Sequence, residues 1–234
     1  MTGVQTCAFD LIKTRASELG SEIWVLGHEI ELETRDLGLH GFEITVQTPL
    51  GEISGRSRML GLHQAQNAAL AVTAAQYLEI PVTAIEKALE TAANPGRLEY
   101  LRGSPSVLLD AAHNPHGARA LAAFVLAHDL APVTLIVGSQ ADKDFAGIAR
   151  ALQPISSHVI CTKASFSARA APPETIASHY KNARVSSNVS EALEMAREIT
   201  PQDGLILIAG TIPLIAEALE QLKNLESEGR IRWQ

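Results

Sequence analysis

Cysteine is nearly absent from this sequence. Cys7 and Cys161 are the only two cysteines among 234 residues. They exclude the disulfide framework of a small secreted protein, and neither has the paired spacing of a cysteine metal site. We therefore expect both to be structural thiols in a protein of the reducing cytoplasm.

Positive charge and long apolar runs are also scarce. Nineteen Lys and Arg oppose 26 Asp and Glu, and the net charge of -7 does not supply the basic face that nucleic acid requires. The longest apolar run, Leu205 to Leu219, is interrupted by Gly210, Pro213 and Glu217, and no signal-peptide pattern opens the sequence. We expect no nucleic acid partner and no membrane span.

Several catalytic signatures are missing. No candidate strand is followed by Gly-x-Gly-x-x-Gly, which argues against a nicotinamide dehydrogenase, and the Gly-x-Ser-x-Gly elbow of a serine hydrolase is absent. The phosphate-binding P-loop, Gly-x-x-x-x-Gly-Lys-Ser/Thr, is absent as well. His113 and His116 have no third ligand at metal spacing, so we expect no metal site in this chain.

The chain beyond Asn94-Pro-Gly96 alternates strands and helices. Five short apolar segments predict strands, each followed by a helical stretch: Ser106 to Asp110, Val133 to Gly138, His158 to Thr162, Ala183 to Ser186 and Gly204 to Gly210. Apolar strands between helices are typical of a parallel sheet covered on both faces. We predict a doubly wound, Rossmann-like, mainly parallel α/β domain over residues 94 to 234.

The first 93 residues follow a different pattern. Weak periodicity predicts a helix over Cys7 to Leu19, a strand over Glu22 to Leu26 and extended chain over Gly27 to Glu33. Alternating side chains on either side of Pro49-Leu-Gly51 predict a hairpin of Gly41 to Thr48 and Glu52 to Met59. Two Ala-rich helices follow, over His63 to Leu78 and Val82 to Ala93, separated at Pro81.

Polar residues follow the predicted strands of the second part. One strand ends at Asp110, and His113 lies in the turn before Asn114 and Pro115, which suit a helix N-cap and first turn. Later strands are followed by Asp142-Lys-Asp144, Ser165 to Arg169 and Gly210-Thr211. Each residue alone is typical of an ordinary cap. Together, at the edge where open α/β sheets bind ligands, they predict a site for ribose hydroxyls and for carboxylate or phosphate oxygens.

Four motifs in register resemble folylpolyglutamate synthase/dihydrofolate synthase, in the Mur ligase superfamily. They are Gly61-Leu-His-Gln-Ala-Gln-Asn-Ala-Ala69, Asn94-Pro-Gly-Arg97 with Asp110-Ala-Ala-His-Asn-Pro-His116, Gly138-Ser-Gln-Ala-Asp-Lys-Asp144 and Ala209-Gly-Thr211. Thr211 replaces the family's Ser, and Ala111 or Ala112 replaces a usual Gly. The resemblance implies that residues 94 to 234 form the C-terminal glutamate-ligase domain. Residues 1 to 93 are then the incomplete C-terminal part of a P-loop-type α/β central ATPase domain, with residues 1 to 8 resembling translated sequencing adapter.

The resemblance also implies roles for individual residues. It assigns ATP contacts to Asn67, Arg97 and Asp110, whose amide, guanidinium and carboxylate suit adenine, phosphate oxygens and ribose hydroxyls. It assigns the incoming L-glutamate to His113 and Thr211. Lys143 and Arg169 are expected as further contacts in the cleft.

The implied reaction activates a carboxylate of folate or dihydropteroate as an acyl phosphate, using ATP and Mg²⁺, before the glutamate amine displaces phosphate. The family's P-loop, magnesium ligands and modified lysine have no counterpart in this sequence. We therefore expect the C-terminal portion of a monomeric ligase, inactive alone, with the Mg²⁺ ligands in a missing N-terminal region. The alternatives are a noncatalytic nucleotide- or amino-acid-binding Rossmann-like module, and a relative of the Mur peptide ligases or cyanophycin synthetase.

Overall fold

The computed structural model describes residues 8 to 227. The predicted first helical residue, Cys7, and most of the adapter-like start lie outside the described residues. The chain divides into two units, Met1–Asn94 and Pro95–Gln234. Within the described range, no helix has the length and apolar character needed to cross a bilayer.

The first unit is a small antiparallel sheet with helices. Its elements are α1 (Ala8–Leu19), β1 (Glu31–Asp36), β2 (Phe42–Thr48), β3 (Gly51–Ser57), α2 (Leu62–Tyr77) and α3 (Val82–Thr91), with sheet order β1-β2-β3. The predicted hairpin is confirmed, since β2 and β3 pair antiparallel from Phe42↔Ser57 to Thr48↔Gly51. Alternate residues of β2, including Phe42, Ile44 and Val46, are buried in one core with α2 and α3.

The predicted strand over Glu22 to Leu26 is wrong. This segment instead enters a tight turn at Gly27, whose φ of +92° suits glycine. The Gly27 N–H donates to the Ile30 carbonyl at 2.8 Å, and the Val25 N–H donates to the Glu29 carboxylate at 2.9 Å. These bonds close the chain on itself over residues 25 to 30, so the first strand begins only at Glu31.

The second unit is a mainly parallel sheet covered by helices. Its elements are β4 (Glu99–Leu101), β5 (Ser106–Asp110), α4 (Pro115–Ala127), β6 (Val133–Gly138), α5 (Phe145–Leu152), β7 (Ser156–Cys161), α6 (Pro173–Ala177), β8 (Arg184–Val185), α7 (Val189–Ile199), β9 (Leu205–Gly210) and α8 (Ile212–Ser227). The sheet order is β4-β5-β9-β6-β7-β8, and only β4 is antiparallel to its neighbour. The predicted Rossmann-like α/β fold is confirmed.

Burial explains why these strands could be recognised in the sequence. Every residue of β6 and β9 is buried, as expected for central parallel strands that have helices on both faces. Val107, Leu109 and Ile208 face α7 and α8, which pack against each other. Leu108 and Leu207 point to the opposite face because side chains alternate along a strand. Helices α4 and α5 also pack together.

Limited proteolysis can test the boundary between the two units. Ala93, Asn94 and Pro95 are exposed and lie between α3 and β4. We expect a broad-specificity protease at low concentration to cut first between residues 92 and 95, because exposed connecting backbone adapts most readily to a protease. Mass spectrometry of the early fragments checks this. A first cut inside β5, β6 or β9, or one resistant core spanning both units, would contradict it.

Candidate functional site

The carboxyl ends of three adjacent strands form the floor of the candidate site. Asp110 ends β5 opposite Ala209 of β9, and Gly138 ends β6 opposite Gly210. A Cβ added at Gly210, where φ is +143°, would lie 1.9 Å from the Gly138 carbonyl oxygen. The strand ends therefore approach as closely as backbone allows, which holds the groups that follow them in fixed positions.

Asp110 is a buried carboxylate at this edge, with only 7% of its surface exposed. Its Oδ2 accepts the Leu98 N–H at 2.9 Å, and the Ala112 N–H also donates to the carboxylate. Burial raises the pKa of Asp110, although the two N–H groups and the charges of Arg97 and His113 act in the opposite direction. Arg97 and His113 are thus held near the same carboxylate.

The raised pKa of Asp110 predicts how its contribution to stability changes with pH. A raised folded pKa means that the stabilising contribution of Asp110 is fully present below its ordinary pKa of 3.8 and is lost as the pH rises through the folded pKa. We expect the unfolding free energy of the parent minus that of Asp110→Asn to fall as the pH rises above about 4. Urea unfolding across this range checks it. If the difference in unfolding free energy stayed constant or grew with pH, burial would not be the main influence on the pKa of Asp110.

The turn after Asp110 places His113 at the start of α4. The His113 Nδ1 lies 2.9 Å from the Ala111 carbonyl oxygen, so Nδ1 carries the proton and Nε2 is left for another partner. Asn114 caps the helix, because its Oδ1 accepts the Gly117 N–H at 2.8 Å, and Pro115 occupies the first helical position. The predicted helix start is confirmed.

Thr211 follows β9 at the same edge and begins the turn into α8. It is 7% exposed, and its Oγ1 accepts the Leu214 N–H at 3.4 Å while its carbonyl accepts the Ile215 N–H at 3.1 Å. The hydroxyl therefore acts as a helix cap in this structure. Its proton remains available to donate to a ligand.

Lys143 and Arg169 lie on two neighbouring loops and share one carboxylate. Asp142 Oδ2 lies 3.0 Å from the Lys143 Nζ and 3.4 Å from the Arg169 Nη2. The hydrogen bond from Lys143 is the main reason that the pKa of Asp142 is lowered. The loops are also joined through backbone, since the Ala141 N–H donates to the Arg169 carbonyl at 3.0 Å.

Asn67 belongs to the first unit. It lies in the second turn of α2 and is exposed, and its Nδ2 donates to the Gln64 Oε1 at 3.4 Å. The helix begins after Gly61, whose φ of +88° marks a sharp entry. In the second unit, by contrast, Arg97, Asp110 and His113 lie together, and Lys143 and Arg169 form a second group.

Two polar groups at this end of the sheet had no functional signal in the sequence. Glu217, which interrupts the apolar face of α8, is 8% exposed and accepts the backbone N–H and the hydroxyl of Ser165 at 2.7 and 3.0 Å. The buried Thr162 Oγ1, directly after β7, has no hydrogen-bond partner within the described part of the chain. The only hint of Glu217 in the sequence was its position within the apolar start of α8, Ile212 to Leu219.

The described residues contain neither a cluster of metal ligands nor a reactive thiol. No three of their His, Cys, Asp or Glu side chains are grouped to hold an ion. Asp110, the buried carboxylate, already accepts backbone N–H groups, so the donor set does not fit a resident Mg²⁺. Burial raises the pKa of Cys161 to about 12, which keeps this thiol protonated and inert.

Known proteins share the fold of this chain. Residues 96 to 212 match the family described as Mur ligase, glutamate ligase domain. The chain therefore belongs to the Mur ligase family, with its second unit as the glutamate ligase domain. Within that family it is homologous to folylpolyglutamate synthase/dihydrofolate synthase, as the sequence motifs predicted.

Sequence alignments with known proteins extend over most of this chain. It is 33% identical over 182 residues to the probable bifunctional folylpolyglutamate synthase/dihydropteroate synthase of Haloferax volcanii, covering 75% of this chain and 22% of that protein. It is 32% identical over 199 residues to the dihydrofolate synthase/folylpolyglutamate synthase of Mycobacterium tuberculosis, covering 77% of this chain and 37% of that protein.

Solved structures of related proteins also match the fold of this chain. The folylpolyglutamate synthase of M. tuberculosis complexed with ADP matches with a TM-score of 0.85 and 25% identity, over 93% of this chain and 53% of that one. The bifunctional enzyme of Yersinia pestis complexed with AMPPNP and Mn ion matches with a TM-score of 0.75 and 27% identity, over 92% and 50% of the two chains. The chain spans about half the length of these solved relatives, and these homologues bind an adenine nucleotide and, in the second case, a divalent metal.

Proposed function

We propose that this chain supplies the glutamate-ligase part of an ATP-dependent enzyme that joins L-glutamate to a carboxylate of folate or dihydropteroate. The observation that carries the proposal is the buried Asp110 carboxylate, held with Arg97 and His113 at a strand end in a glutamate ligase fold. The names and nucleotide complexes of the homologues support it. Residues 1 to 93 are then part of a central ATPase domain, and the enzyme is a cytoplasmic monomer.

Three side chains have chemistry that suits parts of a nucleotide. The Asp110 carboxylate has lone pairs beyond those that accept the Leu98 and Ala112 N–H groups, and these suit ribose hydroxyls. The half-buried Arg97 provides a planar cation for phosphate oxygens. Asn67 in the first unit provides an amide for the edge of adenine.

The second substrate would be bound by His113 and Thr211. The His113 Nε2 and the Thr211 hydroxyl offer polar contacts to the ammonium and carboxylate groups of glutamate, and Lys143 and Arg169 offer cations for its carboxylates. In the reaction, the acceptor carboxylate takes the γ-phosphoryl group of ATP and releases ADP. The glutamate amine then attacks the acyl carbon, phosphate leaves and the amine loses a proton. Mg²⁺ supplies positive charge to the transferring phosphoryl group when bound, but the described residues provide no ligand set for it.

A hybrid enzyme tests the proposal. We expect the chain alone neither to hydrolyse ATP nor to extend folate, because its sequence lacks a P-loop. Joined at Gly61 behind the N-terminal region of the M. tuberculosis relative, it should release ADP and incorporate radiolabelled glutamate together. The N-terminal region without this chain is the control. Ligation by the chain alone would refute the expectation that it is inactive. A folded hybrid that binds nucleotide without ligating would favour the alternative of a noncatalytic binding module.

A further inference from the structure

Glu217 is a buried acidic residue that the proposed reaction does not use. Among the described residues, Asp110 and Glu217 are the only Asp or Glu side chains that are buried. Glu217 lies in the second turn of α8, one turn after the buried Leu214 and beside the buried Ala218. Burying a carboxylate is costly, and an apolar residue of similar volume is often as stabilising or more so. Stability alone therefore does not account for a glutamate at this position.

Glu217 holds the segment that follows β7, which we define as the β7 loop, residues 163 to 169. A single oxygen, the Glu217 Oε2, accepts the Ser165 N–H at 2.7 Å and the Ser165 hydroxyl at 3.0 Å. We call this pair of hydrogen bonds the Glu217–Ser165 contact. It connects α8 to the middle of the β7 loop, 52 residues earlier in the chain.

The Glu217–Ser165 contact lies between two groups of the candidate site. Helix α8 begins directly after Thr211, so Thr211 and Glu217 belong to one turn and helix. The β7 loop ends at Arg169, whose Nη2 lies 3.4 Å from the Asp142 Oδ2, and the same oxygen lies 3.0 Å from the Lys143 Nζ. Holding the β7 loop against α8 therefore restricts the position of these two cations relative to Thr211.

The spacing of such groups matters for an amino acid that is charged at both ends. Glutamate has an ammonium and a carboxylate on its α-carbon, and two methylene groups separate that carbon from the second carboxylate. Aspartate carries the same charges but is shorter by one methylene group. Polar contacts at Thr211 and cations at a fixed distance from it would favour one of these lengths, because a misplaced carboxylate loses charge-assisted hydrogen bonds.

We propose that Glu217 is a positioning residue for the incoming glutamate, because its contact with Ser165 fixes the spacing between Thr211 and the cations Lys143 and Arg169. This inference rests on the proposed function and adds to it the device that selects the length of the amino acid. Glu217 acts through the β7 loop and does not touch the substrate. Since both hydrogen bonds go to one oxygen, the side-chain carbonyl of glutamine can accept both of them. Glu217→Gln should therefore keep the contact, and Glu217→Leu should remove it.

Hydrogen exchange in the whole chain, followed by NMR, tests the Glu217–Ser165 contact itself. We expect the Ser165 amide to be protected in the parent and in Glu217→Gln. In Glu217→Leu it should exchange about tenfold faster or more, as expected when a hydrogen bond to a charged group is lost. Glu220→Leu makes the same substitution at an exposed position of the same helix and is the matched control. Its Ser165 amide should match the parent.

Steady-state kinetics of the hybrid enzyme test the positioning role. Glu217→Leu should raise the KM for glutamate about five- to thirty-fold, since the β7 loop loses two hydrogen bonds that hold it in place. The KM for ATP and the rate of acyl phosphate formation should be unchanged, and the preference for glutamate over aspartate in kcat/KM should fall. Glu217→Gln should restore both glutamate parameters. Ser165→Ala, which removes the hydroxyl and keeps the N–H, should cause a smaller change of the same kind.

Four results would overturn the inference. They are an unprotected Ser165 amide in the folded parent, parent-like glutamate KM and preference in Glu217→Leu, equal losses for ATP and glutamate, and a Glu217→Gln variant as impaired as Glu217→Leu. An active parent hybrid with any of these results would count against this inference alone. An inactive parent hybrid with a protected Ser165 amide would instead refute the proposed function, and the positioning role would fail with it while the contact remained.

Discussion

Gly210→Ala should prevent the second unit from folding stably. The new Cβ would lie 1.9 Å from the Gly138 carbonyl oxygen and 3.0 Å from its carbon, and the φ of +143° is itself unfavourable for alanine. The neighbouring atoms are backbone of β6, which pairs with β7 and β9 and cannot move without breaking a ladder. We expect a loss of more than about 4 kcal/mol, which is a large part of the total stability of a typical domain.

Gly117→Ala is the matched control for Gly210→Ala. It makes the same substitution in the same unit, but its Cβ would meet Ala112 at an ordinary contact distance of 3.5 Å and φ is not positive. Alanine is also the better helix former, so α4 should be unchanged or more stable by up to about 1 kcal/mol. Denaturant unfolding followed by circular dichroism measures both. Equal midpoints for Gly210→Ala and the parent would mean that the strand ends are not in close contact.

The clearest strand signals in the second unit belong to strands whose own side chains are buried on both faces. β6 and β9 are continuous apolar segments because helices cover the sheet on both sides, and this leaves a strong local signal. β4 was missed because its three half-buried residues, Glu99 to Leu101, carry no such signal. It is a strand because it pairs with the open edge of β5. Its formation depends on the sheet and not on local periodicity.

The candidate site likewise contains residues that the sequence indicated and hydrogen bonds that it did not. Asp110, His113 and Asn114 follow one another at a strand-to-helix turn, so their types and spacing indicated a site directly. The partner of Asp110 is the Leu98 N–H, twelve residues earlier, at a left-handed φ of +47°. The partner of Glu217 is Ser165, 52 residues away. Such tertiary hydrogen bonds have no spacing rule, and only the folded chain reveals them.

The proposed site residues predict distinct defects in the hybrid enzyme. Asp110→Ala should raise the ATP requirement, since it removes the ribose acceptor, and Arg97→Ala should slow acyl phosphate formation, since it removes a cation at the developing phosphate charge. His113→Ala should raise the glutamate requirement and leave acyl phosphate formation largely intact. A lost charge-assisted contact costs about 1.5 to 3 kcal/mol, or roughly one to two orders of magnitude in affinity or rate. Steady-state kinetics with ATP and glutamate varied separately, and trapping of the acyl phosphate, measure each effect.

Each variant has a matched control in the same unit. Asp203→Ala, Arg150→Ala and His158→Ala change exposed residues of the same types. Asp203 and His158 lie at the amino ends of β9 and β7, on the edge opposite the candidate site, and Arg150 lies in the last turn of α5. These three should match the parent for both substrates. If the site variants also matched the parent while remaining folded, Asp110, Arg97 and His113 would serve only to fix the turns around β5. If all three instead lost ATP and glutamate affinity together, the separation into a nucleotide group and a glutamate group would be wrong, because removing any one of them would disturb a single shared pocket.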